Sequence, residues 1–409
     1  MQVSRNKKMK ITGIIAEYNP FHKGHAYHIS RIRESGADGI AAVMGGNFTQ
    51  RGELSFCTKF AKAKAAVAGG IDLVLEMPLA YTVSSGEDFA MGGIKILNAL
   101  GCADSLSFGC EEQNFQNLYA LAELLENEDY KEKLKGCLAS GLGFAAARQK
   151  ALEQSGHCEL SGILSNPNNI LGIEYLSALK KTKSSITPLP ITRVGAGHNS
   201  LNISGEICSA SAIRKTALTD AEKALSFCPA PCKKILLKEI EDGKAPLDFA
   251  KIENAILFYL RGLSADYIKD INGVSEGLEN RIVDAVRTGR SFDETVSLAV
   301  TKRYTAARIR RILICSVLGI TKELAHKYPP YIRVLAANKR GFEMLKEAKK
   351  TAHIPIITKA AKICGLSSAA NDFFKVENRA MDLVSLCFRE RGKCGLELTE
   401  NTFNQIIVF

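Results

Sequence analysis

Short apolar runs alternate with longer amphipathic segments along the first half of the chain. The runs contain few polar residues and end at proline, glycine or asparagine, which is typical of strands buried on both faces of a parallel sheet. One run contains Pro188 and Pro190 and is expected near a sheet edge, because proline cannot donate to a sheet ladder. The predicted strands are 11–16, 39–44, 71–77, 105–108 and 186–194.

The segments between these strands carry apolar residues at helical spacing. Such alternation predicts an α/β fold, a Rossmann-like doubly wound parallel sheet with helices on both faces. Ligands of such sheets bind at the carboxyl ends of the strands. The helices predicted in this half are 24–35, 59–68, 87–100, 114–126 and 167–180, with a mainly helical insertion at about 129–165.

The stretch Cys228-Pro229-Ala230-Pro231-Cys232 predicts a boundary between two domains, because prolines interrupt both helices and strands. Residues 1–228 would form the α/β domain. Residues 233–409 would form a mainly α-helical, basic domain. The helices predicted there are 253–261, 275–288, 292–300 and 306–318.

Positive charge is concentrated in the second half. The formal net charge is +11, and residues 301–350 contain 13 Lys or Arg against three Glu. So basic a segment favours a polyanion partner such as a nucleic acid, with a solvated helix face as the alternative interpretation. The basic residues expected to contact phosphates are Lys302, Arg303, Arg308, Arg310, Arg311, Lys339 and Arg340.

The composition is that of a globular protein, with 46% hydrophobic and 24% charged residues. No apolar stretch approaches the roughly 20 residues that a membrane helix needs. The basic start MQVSRNKKMK is not followed by a signal-peptide cleavage pattern. Twelve cysteines are scattered without a C-x-x-C pair, which favours free thiols in a reducing cytoplasm over disulfides or a zinc site.

The candidate chemistry begins where the first strand ends. The run 11–16 leads through Asn19-Pro20 into His22-Lys23-Gly24-His25, at the start of a predicted helix. Free backbone N–H groups and the positive end of the helix dipole make such a corner an anion site. Gly24 lets a phosphate approach the backbone, and both histidines can donate to a phosphate that gains charge as it reacts. The alternative is a helix start with two surface histidines.

A second candidate motif, Ser209-Ala210-Ser211-Ala212-Ile213-Arg214, opens another predicted helix. Hydroxyls and amides at a helix start can hold a triphosphate, and an arginine can neutralise a departing pyrophosphate. Alone, a serine-rich helix start is more often only an N-cap. Paired with an H-x-G-H motif about 190 residues upstream, it becomes a more specific indication of nucleotide chemistry.

The H-x-G-H motif resembles the signature of the nucleotidyltransferase superfamily, whose members attack the α-phosphate of ATP and release pyrophosphate. The stretches GIIAEYNPFHKGH, NFTQRGE, NPNNILGIEYLSALK, ITRVGAGHN and PPYIRVLAANKRG together resemble the bacterial tRNA(Met) cytidine acetate ligases. This resemblance extends from about residue 10 to about residue 350. It implies that the first domain binds ATP and is catalytic, and that the basic second domain binds tRNA.

The resemblance also implies a set of site residues. The expected catalytic residues are His22, His25 and Arg214, which would act on the phosphates. ATP would lie along 15–28 and against a glycine, asparagines and an arginine farther along the chain, with Mg²⁺ accompanying it and no tightly bound protein metal site. The implied ATP-binding residues are Ile15, Glu17, Asn19, Pro20, Gly24, His28, Gly109, Asn168, Asn169, Arg193, Ser209 and Ser211. For Asn168 and Asn169, simple helix capping is the alternative.

The implied reaction is a two-step ligation. Acetate attacks the α-phosphate of ATP to give acetyl-adenylate and pyrophosphate, and the exocyclic amine of a cytidine then takes the acetyl group as AMP leaves. The acceptor implied by the resemblance is the wobble cytidine of elongator tRNA(Met), which becomes N4-acetylcytidine. Its base would be splayed out of the anticodon loop into the ATP-side pocket.

Two positions depart from the pattern of these ligases. Gly45-Gly46 stands where Ser-Gly is expected, and Thr58 stands where an acidic residue is expected before Lys59. Both departures concern the contacts of the small carboxylate, near which Asn47, Gln50 and Arg51 are candidates. Two other functions stay open: a small-molecule adenylyltransferase of cofactor biosynthesis, which needs no basic helical domain, and an RNA-binding protein with a regulatory nucleotide site.

Overall fold

A computed structural model of the chain describes residues 8–193, 208–275, 277–390 and 407–408. Its centre is a mostly parallel sheet in the order β5-β4-β1-β2-β3-β6-β7, with β8 also pairing with β6. The strands are β1 (Ile11–Ala16), β2 (Gly39–Gly45), β3 (Leu73–Met77), β4 (Ser105–Cys110), β5 (Thr187–Thr192), β6 (Ile332–Ala337), β7 (Ile356–Ile357) and β8 (Ile407–Val408). The predicted α/β fold with a doubly wound sheet is therefore confirmed.

The five predicted strands are β1 to β5, and they pair in parallel. Among the strands of the described residues β5 pairs only with β4 and forms an edge, as its two prolines predicted. β3 begins later than predicted, at Leu73, because Asp72 has another role: its carboxylate accepts a hydrogen bond from the Ile40 amide at 2.8 Å. The predicted end of the fifth strand, residue 194, lies outside the described residues.

Helices surround the sheet, and the predicted ones are all present, with bounds that coincide with the predicted ones or differ by a few residues. The first ten are α1 (Lys23–Glu34), α2 (Lys59–Ala68), α3 (Leu79–Thr82), α4 (Gly86–Leu100), α5 (Phe115–Leu124), α6 (Glu128–Ala139), α7 (Phe144–Gln154), α8 (Cys158–Ser161), α9 (Pro167–Lys181) and α10 (Ala210–Ala217). The others are α11 (Ala221–Leu225), α12 (Ala230–Glu241), α13 (Ala250–Arg261), α14 (Ala265–Lys269), α15 (Leu278–Thr288), α16 (Phe292–Ala299), α17 (Ala306–Leu318), α18 (Lys322–His326), α19 (Lys339–Thr351) and α20 (Ser368–Ser385). None of these helices is long and apolar enough to cross a membrane.

The core has one apolar cluster on each face of the sheet, because alternate residues of a strand point to opposite faces. Ile14 of β1 belongs to the cluster formed with α1 and α2, and Ile15 belongs to the cluster formed with α4 and α9. The helices lie close to the strands. A Cβ placed on Gly93 of α4 would lie 2.4 Å from Ile15, so that only glycine permits this approach.

The second half of the chain also contributes to the sheet. β6, in a stretch that sequence analysis assigned to the helical part, pairs antiparallel with β3. Asn338, directly after β6, donates to the Asp72 carboxylate at 3.0 Å, which fixes this strand beside the start of β3. The division of the chain into two domains stays a prediction.

Helix α17 lies against the loops that follow β2 and β3. A Cβ on Gly52 would lie 3.1 Å from the Arg311 backbone, and the Cys315 thiol contacts the Val83 carbonyl at 3.3 Å. The basic helix predicted from the sequence is thus placed at the carboxyl ends of the parallel strands, where ligands of such sheets bind.

Candidate active site

A cleft of about 870 Å³ opens at the carboxyl ends of the parallel strands. Residues from β1, α1, β4, α9 and α10 line it together with residues of α17. The structure therefore brings together side chains that lie up to about 300 residues apart in sequence. The predicted catalytic and ATP-binding residues that line it are Ile15, Glu17, Asn19, His22, Gly24, His25, His28, Gly109, Asn168, Arg193, Ser209, Ser211 and Arg214.

The H-x-G-H motif forms the start of α1, as predicted. His22 is the N-cap, and its Nδ1 accepts a hydrogen bond from the Gly24 amide at 3.1 Å. The His22 amide donates in turn to Nδ1 of His25 at 3.2 Å, which completes a reciprocal capping box. The two imidazole rings stack with centroids 3.8 Å apart. The cap thus fixes both rings on one side of the cleft.

Burial keeps the two rings neutral, and these hydrogen bonds determine which nitrogen carries the proton. Burial, and then the charge of Arg193, lower the pKa of His22 to about 4. Burial, followed by the charges of His22 and Arg193, lowers the pKa of His25 well below its usual value. Because each Nδ1 accepts a hydrogen bond, each neutral ring carries its proton on Nε2. The corner therefore offers two neutral N–H donors to a ligand in the cleft.

His28 lies one turn farther along α1 and lines the same cleft. Its Nε2 is 2.9 Å from the hydroxyl of Ser107 on β4. Burial, and then Arg193, lower the pKa of His28 to about 4. Ser107 was not singled out from the sequence, although a serine that interrupts an apolar strand is a signal that could have been noticed.

Arg214 closes the cleft from the side of α10. Its guanidinium donates to the Asn19 carbonyl at 2.8 Å and to the Ser211 hydroxyl at 3.4 Å. Ser209 is the N-cap of α10, and its hydroxyl accepts from the Ala212 amide. The serine-rich motif is therefore both a helix cap and part of the cleft, and these contacts hold Arg214 beside the loop that leads to His22.

Asn19 and Pro20 connect β1 to the histidine corner. The Asn19 side-chain oxygen accepts from the Phe56 amide at 2.6 Å, so this side chain ties two loops together. Asn19 also lines the cleft, whereas Pro20 does not. The structure does not place Pro20 with the other expected ATP-binding residues.

Gly109, Arg193 and the asparagines of α9 form the opposite wall. A Cβ on Gly109 would lie 3.0 Å from the Arg193 side chain, so glycine keeps this wall open. Asn168 lines the cleft and donates to the Glu111 carboxylate. Asn169 is 1% exposed and does not line the cleft, since its oxygen accepts from the amides of Glu111 and Glu112. Of the two asparagines, only Asn168 is placed to touch a ligand.

The loop after β2 contains the candidates for the small carboxylate. Gln50 and Arg51 line the cleft, but Asn47 is fully buried, and its oxygen accepts from the Lys59 amide at 2.8 Å. Thr58 is the N-cap of α2, and Lys59 forms ion pairs with Glu76 and Glu377 in the interior. Neither Thr58 nor Lys59 lines the cleft.

Five of the basic residues predicted to bind nucleic acid lie on α17 or on its approach. Arg303, Arg308 and Arg311 line the cleft. Arg310 is paired with Asp293 at 2.9 Å and lies 3.9 Å from Glu53, and Lys302 is exposed. The structure does not bring Lys339 and Arg340 to this group. They begin α19, beside the start of β2, where Arg340 donates to the Asp38 carbonyl at 2.7 Å.

Glu53 and Tyr175 are two residues of the cleft that sequence reasoning missed. Glu53 lies 3.9 Å from Arg214 and 3.9 Å from Arg310, so it lies between α10 and the basic helix α17. Tyr175 is 2% exposed and its hydroxyl has no partner among the described residues. Both lie in stretches that carry the family resemblance, NFTQRGE and NPNNILGIEYLSALK, but their place in the cleft depends on contacts between distant segments.

The family model of the HIGH nucleotidyl transferases matches residues 9–395. The tRNA(Met) cytidine acetate ligase of Thermoanaerobacter sp. (strain X514) is 40% identical over 401 residues, covering 95% of this chain and 98% of the relative. The ligase of the same name from Acetivibrio thermocellus is 38% identical over 411 residues, covering 96% of this chain and 99% of the relative.

Two solved structures of Thermotoga maritima TmcAL are also similar over 98% of this chain and 100% of their own. The apo form has a TM-score of 0.92 at 31% identity. The form bound with alpha-thio ATP has a TM-score of 0.89 at 30% identity. The resemblance first seen in short motifs thus extends along the whole chain and its fold. The chain belongs to the HIGH nucleotidyl transferase family and, within it, to the tRNA(Met) cytidine acetate ligases.

Proposed function

We propose that this protein activates acetate with ATP and transfers the acetyl group to N4 of the wobble cytidine of elongator tRNA(Met). The products are N4-acetylcytidine, AMP and pyrophosphate. One observation carries the proposal: His22, His25 and Arg214 meet in a single cleft that also contains arginines of the basic helix α17. Family membership supports the choice of this reaction over other nucleotidyl transfers.

In the first step a carboxylate oxygen of acetate attacks the α-phosphorus, and the bond to the β-phosphate oxygen breaks. Negative charge builds up on the α-phosphate oxygens in the transition state. The Nε2–H groups of His22 and His25 are fixed donors for that charge, and Arg214 meets the departing pyrophosphate. Positioning and electrostatics therefore account for this step without a covalent enzyme intermediate.

The adenosine of ATP would lie along the wall formed by Gly109, Asn168 and Arg193. Glycine lets the nucleoside approach the backbone. The Asn168 amide can hydrogen-bond to the polar edges of the adenine, and Arg193 can pair with phosphate. Arg193 is 41% exposed and its ion pair with Glu111 is long, at 3.9 Å, so the guanidinium is available to a ligand.

The second substrate would reach the cleft over α17. Arg303 and Arg311 line the cleft and can contact the tRNA backbone, which gives affinity without reading sequence. Arg310 is already paired with carboxylates, and Lys339 and Arg340 lie at the other end of the sheet, so the proposal does not depend on them. A cytidine turned out of the anticodon loop would then place its amine near the activated acetyl group.

Mg²⁺ would accompany ATP through the phosphate oxygens. No three His, Cys, Asp or Glu side chains in the described part of the chain are grouped as metal ligands, so no protein-held metal is proposed. Acetate would lie near Gln50 and Arg51, the members of the predicted carboxylate loop that reach the cleft. The reaction needs tRNA and ATP, and the cytoplasm is the compartment expected for it.

Incubation with ATP, radiolabelled acetate and bulk bacterial tRNA tests this function. Label recovered in N4-acetylcytidine after nuclease digestion, together with AMP and pyrophosphate, is the expected result. Reactions without ATP and with a His22→Ala, His25→Ala double variant are the controls. Pyrophosphate release with a small-molecule acceptor and no label in RNA would instead identify a cofactor adenylyltransferase.

A further inference from the structure

Glu17 follows β1 directly and lines the cleft five residues before His22. Its Oε1 accepts a hydrogen bond from the Gln50 amide at 2.5 Å. Its second carboxylate oxygen has no hydrogen-bond or ion-pair partner in the described part of the chain. One oxygen is therefore held by the backbone while the other is free to accept.

The two histidines of the motif and the other carboxylates of the cleft each have a partner, whereas the Tyr175 hydroxyl has none among the described residues. Nδ1 of His22 and Nδ1 of His25 accept from backbone amides, and Nε2 of His28 is bonded to Ser107. The remaining carboxylates have partners as well. These pairs are Glu53 with Arg214 and Arg310, Glu87 with Lys181, Asp88 with Ser85, and Glu174 with Arg148.

The second step of the proposed reaction needs such an acceptor. When the N4 amine attacks the acetyl carbon, the new C–N bond forms, the bond between that carbon and the AMP oxygen breaks, and the nitrogen must lose a proton. A base for this proton has to lie in the cleft, beside the α-phosphate corner and open to the tRNA side.

The surroundings of Glu17 meet both conditions. Gln50, which holds the carboxylate, belongs to the loop that packs on α17 through Gly52, whose Cβ would lie 3.1 Å from the Arg311 backbone. This loop therefore lies beside the helix over which the tRNA would reach the cleft. Burial raises the pKa of the Glu17 carboxyl, while the Gln50 amide and the charges of Lys62, Arg214 and Arg51 oppose that rise. A raised pKa makes a carboxylate a better proton acceptor near neutral pH.

We propose that Glu17 is the general base of acetyl transfer, which accepts the proton from the N4 amine of the cytidine as AMP leaves. The assignment rests on the proposed function, since it concerns the second half of that reaction. Glu17 then serves a different step from its neighbours His22 and His25, which act on the phosphate.

The test compares wild-type protein with Glu17→Gln, which is isosteric and can still accept from the Gln50 amide. Adenylate formation is followed by trapping with hydroxylamine, a nucleophile that needs no protein base, as acetohydroxamate. Acetyl transfer to tRNA is followed separately in single turnover. The matched control is Glu87→Gln, a carboxylate of the same cleft that is paired with Lys181.

The expected result is a fall of about 100-fold or more in the ratio of acetyl transfer to hydroxamate formation in Glu17→Gln, the usual contribution of a general base. The rate of transfer in wild-type protein should rise with pH as the carboxyl ionises, and the variant should lose this dependence. Glu87→Gln should retain the wild-type ratio.

Three outcomes would overturn the assignment. Wild-type rates of both reactions in Glu17→Gln would show that the AMP phosphate or water accepts the proton instead. A parallel loss of hydroxamate and transfer would place Glu17 in the ATP step. An unchanged pH profile would exclude its titration from the rate. Failure of the proposed function itself is distinguishable, because wild-type protein would then form no N4-acetylcytidine at all.

Discussion

The neutral state of His22 makes the stability of the protein depend on pH in a way that one substitution can isolate. Asparagine in place of His22 has no titrating group, yet asparagine is among the preferred N-cap residues and can accept the Gly24 amide. His22→Asn should therefore keep the helix start at neutral pH while removing one proton-binding site from the unfolded chain.

The magnitude follows from the two pKa values. His22 is 8% exposed, and its pKa in the folded protein is about 4, against 6.5 for an unperturbed histidine. The folded pKa is the lower one, so below pH 6.5 the unfolded chain binds more protons and stability falls as the pH falls. This loss continues until the folded pKa is reached. Between pH 7 and pH 5 one such histidine costs about 2 kcal/mol of unfolding free energy.

Urea unfolding followed by circular dichroism at pH 7, 6 and 5 measures the effect. The wild-type protein should lose about 2 kcal/mol more than His22→Asn over this range. His353→Asn, which changes an exposed histidine outside the cleft, is the control and should follow the wild type. Parallel curves for wild type and His22→Asn would refute the conclusion that His22 is held neutral.

Three further predictions concern pyrophosphate exchange, tRNA binding and the KM for ATP. His25→Ala should lower acetate-dependent pyrophosphate exchange by at least about 100-fold while filter binding of tRNA stays within about twofold, because it removes a phosphate donor. Arg303→Ala with Arg311→Ala should weaken tRNA binding and reduce the slope of log K against log salt by about 2, and the same change at Lys339 and Arg340 should have little effect. Gly109→Ala should raise the KM for ATP by about tenfold in pyrophosphate exchange, because the added Cβ would lie 3.0 Å from Arg193; an unchanged KM would remove that wall from the ATP site.

Local sequence patterns predicted most of the first half of the fold. Buried parallel strands appear in the sequence as short apolar runs. The bounds of α2 and α17 coincide with the predicted ones because clear N-caps, Thr58 and Thr305, precede these helices. β6 was missed because IRVLAA lies in a mainly helical half and is followed by another helix. Its pairing with β3 joins residues about 260 apart, which no local pattern can indicate.

The candidate site was predicted in part, and the differences have a physical cause. Motifs placed the histidine corner and Arg214 together, because each motif shapes its own helix start. They could not show that Asn168 lines the cleft while Asn169 does not. That difference arises because the Asn169 oxygen accepts from the backbone amides of Glu111 and Glu112. Nor could the motifs show that Lys339 and Arg340 lie away from the arginines of α17. Proximity in sequence was misleading there, because β6 carries the chain to the opposite end of the sheet.

In the proposed reaction, neutral histidines would let the cleft bind a polyphosphate and still release the products. A positively charged imidazolium would attract ATP and AMP strongly in the ground state, and binding shared by ground and transition states does not accelerate the reaction. A neutral Nε2–H donates one hydrogen bond whose strength grows as the α-phosphate gains charge. The positive charge of the site resides instead on Arg193 and Arg214, and each has a carboxylate 3.9 Å away, Glu111 and Glu53. With the proposed assignment, the cleft has uncharged donors at the reacting phosphate and partly neutralised cations around it, an arrangement that would favour the transition state over the bound nucleotide.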